Sequence, residues 1–378
     1  MRLIFPALLL CSSLQAEIRF RPQEIQTKFG VVYAVLTADI NGDGKPDIVA
    51  INPTQVVWYE NPSWEKHVIL DGVSKKDNVA IAAADIDGDG KVDLALGADW
   101  QPTNTTGGGT IQWIGRDPAN PAGPWQLTSI ATEPTVHRMR WGDVDGDGKP
   151  ELVVMPLHGR GTKAPDWEGQ GARILVFHAP KDPRHDPWPL EVADSSLHIV
   201  HNFIIEDGEI WTASVEGVVA HRRTAPNRWS HRQIAEGTPG EIKLGRTSNA
   251  RYLATIEPWH GNSLVLYEQT PVRGALWKRK VIDTSLNGAH AVGWGDFDGD
   301  GSEEIAVGWR TKPFGLAYYQ RQADGEWKKT MIDDAMAAED LTIADLDGDG
   351  KPEIIAVGRA TENIRIYWNV SGPVPSKQ

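Results

Sequence analysis

The chain has 378 residues and a formal net charge of −13, with 38 lysines and arginines against 51 aspartates and glutamates. That balance offers no basic face for a nucleic-acid partner, and a single cysteine excludes a disulfide framework. No apolar run of eighteen residues follows the N-terminus, so no transmembrane span is expected.

The opening stretch, MRLIFPALLLCSSLQA, has a positive start at Arg2, an apolar centre and a small residue at Ala16. This is the pattern of a secretory signal peptide, and cleavage after Ala16 is expected, giving a secreted or periplasmic protein. Lipoprotein anchoring at Cys11 is the weaker alternative, because Leu10 before it is large. Cleavage leaves no cysteine, so another device must stiffen the mature chain.

After the leader comes FRPQEIQ (Phe20–Gln26), then a hairpin around DINGDGKPD. The same acidic turn returns as DIDGDGKVD, DVDGDGKPE, DFDGDGSEE and DLDGDGKPE. Carboxylates on alternate residues with glycine at the sharp turn are the arrangement that wraps a hard cation such as Ca²⁺. The expected ligands are Asp39, Asn41, Asp43 and Asp47; Asp85, Asp87, Asp89 and Asp93; Asp143, Asp145, Asp147 and Glu151; Asp296, Asp298, Asp300 and Glu304; and Asp345, Asp347, Asp349 and Glu353. The flanks are short β-type runs, not the amphipathic helices of an EF-hand. Five bound divalent ions would bring the net charge to about −3.

Successive first aspartates lie 46, 58, 153 and 49 residues apart, and the long gap is three times 51. Two further units without the loop fill it, VHNFIIEDGEIWTASVEG (200–217) and EIKLGRTSNARYLATIEPWHG (241–261). Each unit continues with a third strand such as QVVWYEN or SLVLYEQ and a tryptophan-led fourth such as WEKHVIL or WKKTMID. Seven units of about fifty residues with four strands each predict an all-β, seven-bladed β-propeller over residues 17–378. Only 33 residues follow Asp345, too few for a fourth strand, so Phe20–Gln26 is expected to complete the last blade and close the ring.

Six residues before the first loop aspartate stand Tyr33, Val79, His137, His290 and Glu339, and the matching place in the fourth unit holds His201. In the fifth unit Glu241 is the nearest candidate. The chain has 11 histidines, so three at equivalent places are an unusual concentration. The innermost strand of a propeller lines its channel, so one phase on it forms one ring, at the end away from the acidic turns. His137, His201 and His290 are therefore expected to bind one transition metal, most simply Zn²⁺, with an open coordination position. The alternative is a set of polar channel residues holding water. Second-to-third strand connections at this face carry Asp99, Trp100, His158, Glu216, Trp259, His260, Trp309, Arg310 and Arg359.

The repeats resemble the FG-GAP/VCBS family of calcium-loop propellers, also seen in integrin α-subunit heads. HRMRWGDVDGDGKPELVVMPLHGRG and GAHAVGWGDFDGDGSEEIAVGWR further resemble the propeller domain of the aldos-2-ulose dehydratase family. That resemblance implies a zinc-containing propeller that dehydrates keto-sugars such as 1,5-anhydrofructose. The cupin and lectin-like domains of the fungal enzyme have no counterpart in these residues, so a second, isomerising step is not implied.

Dehydration of that kind suits the residue types. His158 or His260 can serve as general base, and Arg310 can orient or stabilise a sugar oxygen. Trp100, Trp259 and Trp309, with Arg359, offer faces and a charge for a small carbohydrate substrate. The alternatives are a non-catalytic carbohydrate- or protein-binding propeller and a polysaccharide lyase; nothing in the residues sets the oligomeric state.

Overall fold

In the computed structural model, which describes residues 17–117, 119–120 and 123–372, the alternating runs form twenty-eight strands. The expected signal peptide, with Cys11, lies outside the described residues.

The first strand, β1, is Phe20–Gln26. Blade one follows as β2 (Ala34–Ala38), β3 (Asp47–Ile51), β4 (Gln55–Glu60) and β5 (Glu65–Asp71). Blade two is β6 (Ala80–Ala84), β7 (Asp93–Ala98), β8 (Thr110–Gly115) and β9 (Gln126–Thr132). Blade three is β10 (Val136–Gly142), β11 (Glu151–Pro156), β12 (Ile174–Phe177) and β13 (Leu190–Asp194). Blade four is β14 (Asn202–Glu206), β15 (Glu209–Ser214), β16 (Gly217–Ala225) and β17 (Arg228–Ala235). Blade five is β18 (Ile242–Thr247), β19 (Ala250–Glu257), β20 (Ser263–Glu268) and β21 (Lys278–Asp283). Blade six is β22 (Ala289–Gly295), β23 (Glu304–Trp309), β24 (Gly315–Arg321) and β25 (Trp327–Asp333). Blade seven supplies β26 (Ala338–Ala344), β27 (Glu353–Gly358) and β28 (Ile364–Asn369).

Seven four-stranded antiparallel sheets result among the described residues, and the seventh takes β1 as its outer strand beside β28. Phe20 pairs with Asn369 and Glu24 with Arg365. Arg365 Nε also donates to Glu24 Oε2 at 2.8 Å, and Trp368 Nε1 to Gln23 Oε1 at 2.7 Å. The fold expected from the repeats is the fold found, down to the closing strand.

The second strand of each blade is buried along both faces, because flanking blades cover it on either side; Glu304–Trp309 and Glu353–Gly358 are examples. The apolar core is accordingly distributed between blades. Ile48 and Val57 of blade one pack with Ile355 and Ile364 of blade seven, and comparable clusters join the other neighbours. Outer strands show water on one side, as in the alternating exposure of Leu190–Asp194.

Blades four and five replace the acidic turn with tight hairpins. Asp207 and Gly208 both adopt positive φ, 51° and 72°, between paired Glu206 and Glu209. Positive φ at both central residues is the type I′ pattern, which an Asp-Gly pair satisfies at little cost.

Candidate metal and active centre

The inner strands bring their first residues together where they leave the channel face. His137, His290 and Glu339 each fall where the ladder slips, between Val136 and Arg138, Ala289 and Ala291, and Ala338 and Asp340. A bulge leaves one residue unpaired and re-aims its side chain. His201 and Glu241 occupy the matching places just before β14 and β18. Strain gathers nearby: Asp99, Thr135, Trp167, Ile199 and Trp259 all have positive φ between 38° and 56° without being glycine.

The histidines converge. Nitrogens of His201, His260 and His290 lie within 4.8 Å of one another. The His260 and His201 Nε2 atoms approach to 2.6 Å, and the His201 and His290 ring centroids are 5.2 Å apart. His137 stands beside this trio, its centroid 4.6 Å from that of His201, stacked on Trp100 at 4.8 Å. The ring of three expected from the inner strands is thus extended by His260, which reaches in from the β19–β20 connection.

The outer nitrogens fix the orientation of two rings. His290 Nδ1 meets the Glu339 carbonyl oxygen at 2.5 Å, and His201 Nδ1 meets Glu241 Oε1 at 3.1 Å. Both contacts place the ring proton on Nδ1 and leave the Nε2 lone pair facing the centre, the arrangement by which metal-binding histidines are oriented. His260 is oriented differently. Its Nδ1 accepts from Arg310 at 3.2 Å, so its proton sits on Nε2, pointing at His201. Both ring nitrogens of His137 are buried without a hydrogen-bond partner, as is His158 Nδ1.

Burial governs the charge state. Desolvation, reinforced by Arg138 beside His137 and by Arg310 beside His290, holds both imidazoles well below their ordinary value. His201 is also lowered by burial, which outweighs Glu241. His260 is lowered by burial, His201 and Arg310, while His158 is pulled down to about 4 by burial and by His201. Burial pushes Glu241 up, but its bonds with His201 and Asn202 and the charge of Arg138 prevail and keep it ionised. At neutral pH the site is a set of neutral imidazoles beside one firm carboxylate.

The rim is built from the connections. Arg310 Nη1 lies 2.7 Å from both Glu339 carboxylate oxygens, and Arg359 Nη1 is 2.9 Å from one of them. Trp259 stacks on His260 at 4.6 Å, and Trp167 covers His158 at 3.6 Å with the rings nearly parallel. Trp309 does not join them. It is buried in the core between blades five and six, its Nε1 donating to the Pro313 carbonyl, so it presents no face to a sugar. Glu216 binds His198 at 2.8 Å, and Asp99 accepts from Gln101, at the outer part of the same face.

Two acids were legible only as positions. Glu241 and Glu339 share the phase of the histidines, yet their roles, orienting His201 and anchoring Arg310, depend on neighbours from other blades. The loop Trp167–Gly171 is legible as a segment beside the cup, but the stacking of Trp167 on His158 is not, because that loop carries no periodic signal.

At the opposite end of the inner strands, the acidic turns share one geometry. In blade six, Asp296 Oδ1 accepts from Gly299 N at 2.8 Å and Oδ2 from Gly301 N at 3.0 Å, while Glu304 Oε2 accepts from Phe297 N at 2.9 Å. Gly299 and Gly301 have φ of 75° and 86°, which a side chain would strain. The ninth-position carboxylates are buried among other acids. Desolvation and the neighbouring aspartates push Glu304 to about 9 and Asp93 and Glu353 to about 7, and also raise Asp47 and Glu151. Acids driven together without a counter-charge form a cavity suited to a cation. Three acidic oxygens lie within 4.8 Å of one another in the turns at Asp85, Asp143 and Asp296.

Comparison with known proteins agrees with this architecture. Residues 39–96 match the FG-GAP-like repeat family, and residues 108–270 match the family described as aldos-2-ulose dehydratase, beta-propeller domain. Aldos-2-ulose dehydratase from Phanerodontia chrysosporium is 28% identical over 235 residues, covering 53% of this chain and 25% of that protein. The chain thus spans a quarter of that relative's length. Among solved structures, an ancestral GH74 enzyme aligns over 93% of this chain and 49% of its own at 11% identity and a TM-score of 0.58. The periplasmic gluconolactonase of Pseudomonas aeruginosa aligns over 91% and 97% at 13% identity and a TM-score of 0.50. These two share the fold alone. The chain is a seven-bladed β-propeller in which residues 39–96 match an FG-GAP-like repeat and residues 108–270 resemble the β-propeller domain of aldos-2-ulose dehydratase.

Proposed function

We propose that the protein is a secreted, metal-dependent lyase that removes water from a keto-sugar of the aldos-2-ulose or 1,5-anhydrofructose type. The observation that carries this reading is the convergence of His201, His260 and His290, two of them anchored through Nδ1. Similarity to a named sugar dehydratase supports the substrate class.

A transition metal suits the donors: neutral imidazoles, buried nitrogens of His137 without partners, and a carboxylate behind His201. His201 and His290 would hold it, with His137 as the third ligand, since the Nε2 proton of His260 points at His201. Bound Zn²⁺ would supply a Lewis acid for the sugar's carbonyl or adjacent hydroxyl oxygen.

The remaining groups match the other needs of a β-elimination. His158, unprotonated at neutral pH, is the base for the proton beside the carbonyl. Arg310, fixed by Glu339, faces the developing negative oxygen. The proton that His158 takes up is the one the departing hydroxyl needs, so the hydroxyl leaves as water and His158 returns to its neutral form. Trp100 and Trp259 offer rim faces against which a pyranose can stack.

In this reading Ca²⁺ fills the five acidic turns and has a structural role only. Metal analysis of the purified protein, paired with a turnover screen on keto-sugars, tests the proposal. One transition metal per chain and loss of both metal and turnover in His290→Ala are expected. A metal-free protein inactive on every keto-sugar would leave a binding propeller as the better account.

A further inference from the structure

Beneath the histidines the inner strands enclose a cavity of about 310 Å³, lined among others by Arg138, Arg140, Asn202, Lys243, Asp340 and Thr342. It extends along the central channel from Ala34 and Val79 at the histidine level to Thr37, Ala83 and Trp141. The inner strands of five blades end in alanine or glycine at the loop side: Ala38, Ala84, Gly142, Gly295 and Ala344. A Cβ at Gly142 would meet Ile205 and one at Gly295 would meet Phe297 and Ile343, so these small residues fit the packing against neighbouring side chains.

The charges in this channel do not balance. Three cations, Arg138, Arg140 and Lys243, share it with two carboxylates, Glu241 and Asp340. Glu241 is engaged by His201, Asn202 and Arg138, the last at 3.4 Å. Asp340 accepts from the backbone amides of Val35 at 3.2 Å and Leu341 at 2.9 Å. Arg140 donates to Asn202 Oδ1 at 3.0 Å and lies over the Phe203 ring at 4.9 Å, with no carboxylate of its own. The Lys243 ammonium makes no hydrogen bond or ion pair among the described residues. Burial and the neighbouring Arg140 pull it down to about 8. The half-buried ammonium shares the channel with Arg138 and Arg140 as well as with Asp340 and Glu241, and a bound anion would offset the repulsion among the three cations.

We propose that this channel is a binding site for a small inorganic oxyanion, sulfate or phosphate, held by Lys243 with the guanidiniums of Arg140 and Arg138. A tetrahedral oxyanion displaces roughly two waters, on the order of 60 Å³ at about 30 Å³ each, so the cavity accommodates it with water to spare. Guanidinium and ammonium donors are the groups that bind such oxygens best. The site is separate from the histidine centre and does not depend on the reaction proposed for it.

Equilibrium dialysis of the full chain against labelled sulfate tests the proposal. One saturable sulfate per chain is expected, displaced by phosphate but not by chloride at matched ionic strength. Lys243→Met should weaken sulfate binding at least ten-fold while melting in chloride no lower than the parent, because an unpaired ammonium has been replaced by an apolar chain of similar length. His290→Ala should keep the sulfate, which separates this site from an anion bound at the histidine centre. Absence of saturable binding in the parent, full competition by chloride, loss of sulfate in His290→Ala, or unchanged affinity in Lys243→Met would each overturn the assignment. The parent measurements decide the matter even if the lysine variant does not fold.

Discussion

The two ends of the inner strands are built by opposite rules. At the loop end, each of five blades repeats one acidic turn whose contacts are nearly all local, such as Asp345 accepting from Gly348 at 2.8 Å and Gly350 at 2.9 Å. At the histidine end, no blade is complete alone. His201 of blade four leans on Glu241 of blade five, and His290 of blade six on the Glu339 carbonyl of blade seven. Repetition serves the scaffold, and differences between blades make the site. Blades four and five, which lack the acidic turn, supply His201, Glu241 and His260 to the centre.

The sharpest way to break this comparison is to remove one group from the histidine end and ask whether the loop end responds. On the proposed function, His290→Ala should lose the proposed transition metal and lower turnover on a keto-sugar on the order of 10³-fold, since a Lewis acid contributes several kcal/mol. Its calcium-dependent melting should be unchanged within a few degrees, read by thermal unfolding with and without chelator. His158→Ala should lower kcat about 10²-fold or more, as expected for loss of a general base, while metal content stays at the parent level. If His158 is the base, the acid limb of the parent's pH–rate profile should fall near pH 4 and not near 6.5, following its lowered value.

Glu241→Gln sharpens the comparison more gently. The amide can still accept from His201 but carries no charge, and second-sphere changes of this kind cost about ten- to a hundred-fold in metal affinity. Competition with a coloured chelator reads that directly. An unchanged affinity would mean that Glu241 serves only Arg138 and Asn202.

The two ends also differ in how far the sequence disclosed them. Blade number, the closing role of Phe20–Gln26 and the position of every acidic turn follow from period and local chemistry, because a turn such as DLDGDGKPE makes its contacts within nine residues. The phase of the inner strands also pointed to His137, His201 and His290. It did not disclose that His260 would stand between His201 and His290, because a connection between strands carries no periodic signal. Nor did it show Trp309 turned into the core, since an indole at a strand end reads alike whether it faces a cup or a neighbouring blade. The channel charges were invisible for the same reason: Arg138, Arg140 and Lys243 come from two different blades, and only closure of the ring sets them together.

The loop end has its own pH signature. Glu304 at about 9, and Asp93 and Glu353 at about 7, are raised above the unfolded range near 4 by burial and neighbouring acids. A carboxyl raised in the native state supports the fold most below its unfolded value and loses that contribution as pH rises through its native value. Chelated protein should therefore melt at progressively lower temperature from pH 5 to pH 9, by about 10 °C or more over three such groups. With calcium in excess the ion neutralises these acids and the profile should be nearly flat. Coincident curves with and without calcium would show that the turns do not need an ion.

The smallest expected effect comes from one turn alone. Asp347 is exposed, and its carboxylate accepts from Asp349 N at 3.2 Å, so replacing it by alanine removes a ligand oxygen and one weak turn contact without opening the core. The ninth-position Glu353 still accepts from Leu346 N at 2.8 Å, and Leu346 O still accepts from Asn61 Nδ2 of blade one at 2.7 Å, so the seam between blades seven and one stays tied. On the proposal that Ca²⁺ fills each turn, what is lost is the binding energy of one such ion. At a hundred-fold excess over its dissociation constant that is about 2.7 kcal/mol, which at roughly 2 °C per kcal/mol for a large domain lowers Tm by about 5 °C. Because β1 closes blade seven, the loss should appear first as faster amide exchange in Phe20–Gln26 and Ile364–Asn369, with blades three to five unaffected. Uniform loosening of all seven blades would mean that the loops act as one cooperative belt, and the local account of the loop end would fall.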